Sequence, residues 1–73
     1  SDIRLLSTNN KLRAIWTLLG GWISSDDMAA IKKICSSVTT RMEADALRKG
    51  IDPLTFSDLG QRTQMRVFLA QMP

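Results

Sequence analysis

Three stretches of the chain place apolar residues at helical spacing. Leu12, Ile15, Trp16 and Leu19 fall at i, i+3, i+4 and i+7, the stripe of an amphipathic helix. Met28, Ile31, Cys35 and Val38, with Ile34 beside them, form a second, and Met65, Phe68, Leu69 and Met72 a third. Strict alternation of apolar and polar residues is nearly missing, and no Asn-Gly or Asp-Gly pair marks a hairpin. The pattern predicts an all-α fold.

Polar residues between the stripes supply the punctuation. Thr8, Asn9 or Asn10 can cap the first helix, and Gly20-Gly21 ends it, since two glycines cost a helix about 2 kcal/mol relative to alanines. Ser24 and Ser25 offer caps for the second, whose first turn holds Asp26 and Asp27 where the helix dipole favours negative charge. Thr40 and Glu43 have capping-box spacing, which predicts a break or bend near Thr39 and a new helix running to Lys49, the alternative being one continuous helix through Val38 to Arg41. Gly50 suits a left-handed position past that helix, with Ile51 as its apolar partner. Asp52-Pro53 reads as a cap and first-turn proline opening a short turn with Leu54 and Phe56. The last helix starts between Ser57 and Gln61, weakened by Gly60. A further short turn over Asp2 to Leu6 can pack Ile3, Leu5 or Leu6 on the core. The expectation is one compact domain, residues 1–73, of about five short helices.

Size changes the picture little. A chain of 73 residues buries only roughly 60% of its unfolded surface, so the core needs nearly every apolar side chain. The longest apolar stretch, Ala14 to Ile23, is interrupted by Thr17 and two glycines and falls below the ~20 residues that cross a bilayer. The start at Ser1, with neither an initiator Met nor a signal-peptide pattern, suggests a fragment of a larger protein. One cysteine excludes an internal disulfide. A net charge of +3 and a pI near 9.6 point to an acidic partner surface or to nucleic acid.

Candidate chemistry narrows the function further. The chain has no histidine, which removes the commonest general base, the Ser-His and Cys-His pairs and most zinc sites. Cys35 lies on an apolar stripe and reads as a buried small hydrophobe. Asp26 and Asp27 read as helix-dipole residues. No P-loop, dinucleotide fingerprint or EF-hand is present. The expectation is a non-enzyme without cofactor or metal. Binding candidates are aromatic and basic. Trp16 lies on the first stripe and reads as core. Trp22 follows two glycines and belongs to no stripe, so it either caps one end of the core or stands out as an anchor for a partner. From Asn10 to Ser25 the chain carries Lys11 and Arg13 and no acid. Lys32 and Lys33, added on charge alone, would extend a positive patch if the two helices lie together.

Two resemblances bear on the partner. The run from Ala46 through Gly50, Ile51, Pro53, Thr55 and Ser57 to Leu59 resembles a DNA-binding helix-turn-helix, which would send Leu54 to Leu59 into the major groove. It departs from that pattern in Asp45 and Lys49 at apolar positions of the first helix, in Asp52 and Asp58 facing phosphate, and in Gly60 shortening the reading helix. The second covers more of the chain. Asn10-Lys11-Leu12-Arg13, then Leu18-Leu19-Gly20-Gly21-Trp22-Ile23, and then Arg41-Met42-Glu43-Ala44-Asp45-Ala46-Leu47 resemble the C-terminal domain of rhabdovirus phosphoproteins. The match spans about Asn10 to Gly50, with one extra residue near Gly20-Gly21 and no counterpart for residues 51–73. It implies a domain that attaches to viral nucleoprotein in complex with RNA and tethers the viral polymerase, through the rest of the parent protein, to its template. It carries over Lys11, Arg13 and Trp22 as partner-binding residues and places the protein in the host cytoplasm and the virion, with no membrane and no small-molecule substrate. The alternatives are a helix-turn-helix transcription regulator and a helical adaptor or dimerisation domain.

Overall fold

The computed structural model describes residues 6–73, which form four α-helices and one 3-10 turn, with no strand among them. Helix α1 spans Thr8–Leu19, α2 Ser25–Ser36, α3 Arg41–Gly50 and α4 Leu59–Gln71, and the turn Pro53–Thr55 lies between α3 and α4. The all-α expectation holds, with four helices in place of about five. The turn expected over Asp2 to Leu6 falls almost wholly outside the described residues.

Each helix begins on a side chain three residues ahead of the amide it satisfies. Ser7, not Thr8 or the asparagines, caps α1, its oxygen accepting from the Asn10 amide at 3.2 Å. Ser24 and Asp27 form a full capping box on α2, with bonds of 3.1 and 2.9 Å in the two directions. Thr40 caps α3 through the Glu43 amide at 3.2 Å, so the expected break before Arg41 is real. Only half of that expected box forms, because the Glu43 carboxylate turns to α1 instead. Asp52 opens the Pro53 turn and Asp58 caps α4, each accepting an amide at 2.9 Å. Such caps are worth about 1 kcal/mol each.

Helix α1 packs on α2 and α3, and α4 packs on α2, α3 and the turn. The body measures 29 × 24 × 16 Å. Ile15, Ile31, Leu47, Phe56 and Met65 are fully enclosed, and burial of each such side chain contributes about 1.5–3 kcal/mol. Cys35 is core as its stripe predicts, and burial pushes its thiol up to about 11.

Two glycines have different reasons for being there. Gly21, at φ 79°, takes the left-handed conformation that turns the chain from α1 into Trp22. Gly50 was expected in that conformation and is not in it. It is the last residue of α3, where a Cβ would stand 2.6 Å from a Leu12 methyl. Close approach of α3 to α1, not backbone twist, requires a glycine there.

The end of α4 is held from another helix. Arg48 of α3 donates to the carbonyls of Leu69, Met72 and Pro73 at 3.1, 2.9 and 3.0 Å, while Asp45 steadies its remaining arm at 3.0 Å. Those carbonyls have no partner within α4 itself.

Candidate protein-docking surface

The first candidate, Lys11, is inside the molecule. Its residue exposure is 2%, and its Nζ donates to Glu43 Oε1 at 2.7 Å and to the Ser37 carbonyl at 3.4 Å. The Thr8 hydroxyl donates to the other Glu43 oxygen at 2.7 Å. Burial pushes the Glu43 carboxyl up, but the hydrogen bonds from Lys11 and Thr8 and the charge of Lys11 outweigh it and hold the group below its ordinary value of 4.5. Lys11 therefore joins α1 to α3 and to the segment after α2. As a surface contact for a partner it is withdrawn: a buried cation with an anion in hydrogen-bond contact is structural.

Trp16 is also not in the core, where periodicity puts it. Trp16 is half exposed, and its indole nitrogen donates to the Gly50 carbonyl at 2.9 Å. The inward arc of α1 is taken by Lys11, Leu12, Ile15 and Leu19, which leaves Trp16 at the helix's edge, lying on the end of α3. Trp22 is 89% exposed. It covers no core, so of its two readings the outward one describes this structure. Gly20 and Gly21 end α1 before it, and the Gln61 side chain of α4 holds the following carbonyl, that of Ile23, at 2.8 Å. Beside it lies a depression of about 300 Å³ bordered by Leu19, Trp22, Ile23, Thr55, Asp58 and Gln61. Leu54 and Leu59, at 64% and 70% exposure, are the chain neighbours of Thr55 and Asp58.

The remaining cations do not gather around Lys11. Arg13 is exposed on the outer face of α1, one turn before Trp16. Lys32 and Lys33 are exposed on α2, but Lys32 borders the groove between α2 and α4. Lys33 sits about 100° further round the helix. Of the two, Lys32 stands on the α4 side of α2.

The segment Leu54 to Leu59 does not form the reading helix of a helix-turn-helix. Leu54 belongs to the 3-10 turn, Phe56 is extended and fully buried, and α4 begins only at Leu59 behind its Asp58 cap. Phe56 is tied down further by Arg62, whose guanidinium donates twice to its carbonyl, at 3.1 and 2.8 Å. Sequence reasoning missed Glu43 and Gln61. Glu43 was hidden by its capping-box spacing from Thr40, and Gln61, one polar residue among many, gave no signal.

Among the described residues no helix is long and apolar enough to cross a membrane, and no group of three or more His, Cys, Asp or Glu side chains is placed to hold a metal. No protein-family model, no curated protein and no solved structure matches the chain.

Proposed function

We propose that this chain is a docking domain that binds a protein partner through the corner between α1 and α2, and that the partner is a viral nucleoprotein in complex with RNA. The observation that carries the reading is Trp22, 89% exposed at a corner that Gly21 and Gln61 hold in place. A large indole with little cover contributes almost nothing to this fold, whereas aromatic side chains of this kind dominate binding energy at protein interfaces. The depression beside it gives a partner side chain somewhere to go. Arg13, exposed on α1, the helix that leads into this corner, supplies charge suited to steering an acidic surface.

The choice of nucleoprotein rests on the likeness of Asn10 to Gly50 to rhabdovirus phosphoproteins. In that reading the domain brings a polymerase to its template and performs no chemistry of its own. Arg13 and Trp22 stay in the binding site, Lys11 leaves it, and Lys32 and Lys33 act only if the footprint extends over α2.

The test is calorimetric titration of the domain with nucleoprotein–RNA rings. Trp22→Ala should weaken binding at least about tenfold while the melting temperature holds. Arg13→Glu should reduce the association rate and its salt dependence. Unchanged affinity in a folded Trp22→Ala variant overturns the site, and no heat from the native domain overturns the partner.

A further inference from the structure

Helices α2 and α4 run side by side in the same direction: Ser25 and Met28 share a depression with Gly60 and Gln64, and Cys35 and Ser36 share another with Gln71 and Met72. The first measures about 480 Å³ and the second about 220 Å³. Lys32 and Phe68 border both, so they form a saddle between two hollows. Met28 and Phe68 line the first hollow and Phe68 and Met72 the second, while Ser25, Gln64, Ser36 and Gln71 add uncharged polar groups and Asp58 one acid. Lys32 stands over the middle, exposed, with no acidic partner among the described residues.

The spacing defines what fits. The hollows are centred near Met28 and Cys35 on α2, about 10 Å apart at 1.5 Å per residue. An incoming helix laid along the groove places residues i and i+7 at that same separation and on one face. Residues i+3 and i+4 then come between them, opposite Lys32. We propose that the α2–α4 groove binds an amphipathic helix of a partner protein with apolar side chains at i and i+7 and Asp or Glu at i+3 or i+4.

Charge supports the assignment. The chain carries +3 overall, and the one acid on the rim, Asp58, is engaged as the α4 cap at 2.9 Å. A second copy of this chain is a poor occupant. Seven residues after exposed Met42 stands Lys49, and seven after exposed Leu59 stands Arg66, so neither face carries the required pattern.

The experiment uses two short alanine-based helical peptides with Leu at i and i+7, one with Glu and one with Lys at i+4. Each is titrated into the isotope-labelled domain and followed by amide chemical shifts. The Glu peptide should perturb Met28, Lys32, Phe68 and Gln71. Lys32→Glu, an exposed change that leaves the melting curve in place, should weaken the Glu peptide at least about tenfold and strengthen the Lys peptide. Shifts centred on Trp22, no binding at millimolar peptide, or equal response to both peptides in both proteins overturns the proposal. So does a sedimentation-detected dimer that Lys32→Glu abolishes, which assigns the groove to a second copy.

Discussion

A lysine is inside this domain and a tryptophan is outside, the reverse of what their side chains favour. Lys11 and Trp22 stand at opposite ends of α1, and the contrast separates two kinds of necessity. Lys11 tolerates enclosure because Glu43 and the Ser37 carbonyl meet its ammonium group at 2.7 and 3.4 Å. Its butyl stem fills space between helices at the same time. Trp22 has no comparable partner within the described residues. One position serves the fold and the other leaves surface for something else, so substitutions at the two should separate stability from binding.

The largest effect is expected at Lys11. Lys11→Ala removes one member of a buried pair, which costs about 3–5 kcal/mol in such settings. Because Glu43 keeps 18% exposure, the lower end, about 3 kcal/mol, is expected in urea unfolding. A loss under about 1 kcal/mol would put Lys11 back among surface residues.

Glu43→Gln comes next, at about 2 kcal/mol near neutral pH for a charge-assisted bond made neutral. This variant also has a pH signature. The folded carboxyl titrates below its ordinary 4.5, so its contribution is present above that value and disappears as pH falls through the depressed one. The native domain should lose stability over that acidic window, and Glu43→Gln should lose less. Parallel acid profiles for the two would remove the ion pair from the account.

Gly50→Ala should cost about 1 kcal/mol, with the Leu12 methyl that lies 2.6 Å from the added carbon shifting to make room. The double variant with Leu12→Ala tests the cause, since the cost specific to Gly50 should vanish there. Smallest of all is Trp22→Ala, expected within about 0.5 kcal/mol of the native stability. A large destabilisation at Trp22 would erase the contrast from which the docking site is drawn.

The parts of this structure that could be read from the chain are those encoded within a few residues. Ser24 with Asp27, Thr40 before Arg41, Asp52 before Pro53 and Asp58 before α4 all act across two or three positions, and each lies at the expected boundary or within the expected range. The inward stripes of α2 and α4 were equally plain, because Ile31, Cys35, Met65 and Leu69 repeat at helical intervals. What could not be read involves residues brought together from far apart. Lys11 is buried only because Glu43, 32 positions away, reaches it, and no local pattern announces that. Trp16 leaves the core for a carbonyl 34 positions away. Gly50 looked like a helix terminator because its role against Leu12 exists only in the assembled pair. Of the candidate site, Trp22 and Arg13 were legible as residues free of any stripe's inward face. Lys32 was legible as a cation, but the groove that gives it a neighbourhood was not.

The Arg48 contacts carry a consequence for how separable the parts are. Helix α4 brings its own beginning, in Asp58, but its ending is supplied from α3, by one guanidinium plane spanning three carbonyls. A peptide of residues 57–73 alone should therefore start its coil at the proper place and unravel from the other end. An ammonium group in place of the guanidinium lacks the planar fork to span all three. The last turn of α4 is thus conditional on the third helix being folded, and it reports on that helix wherever amide exchange near Met72 is followed.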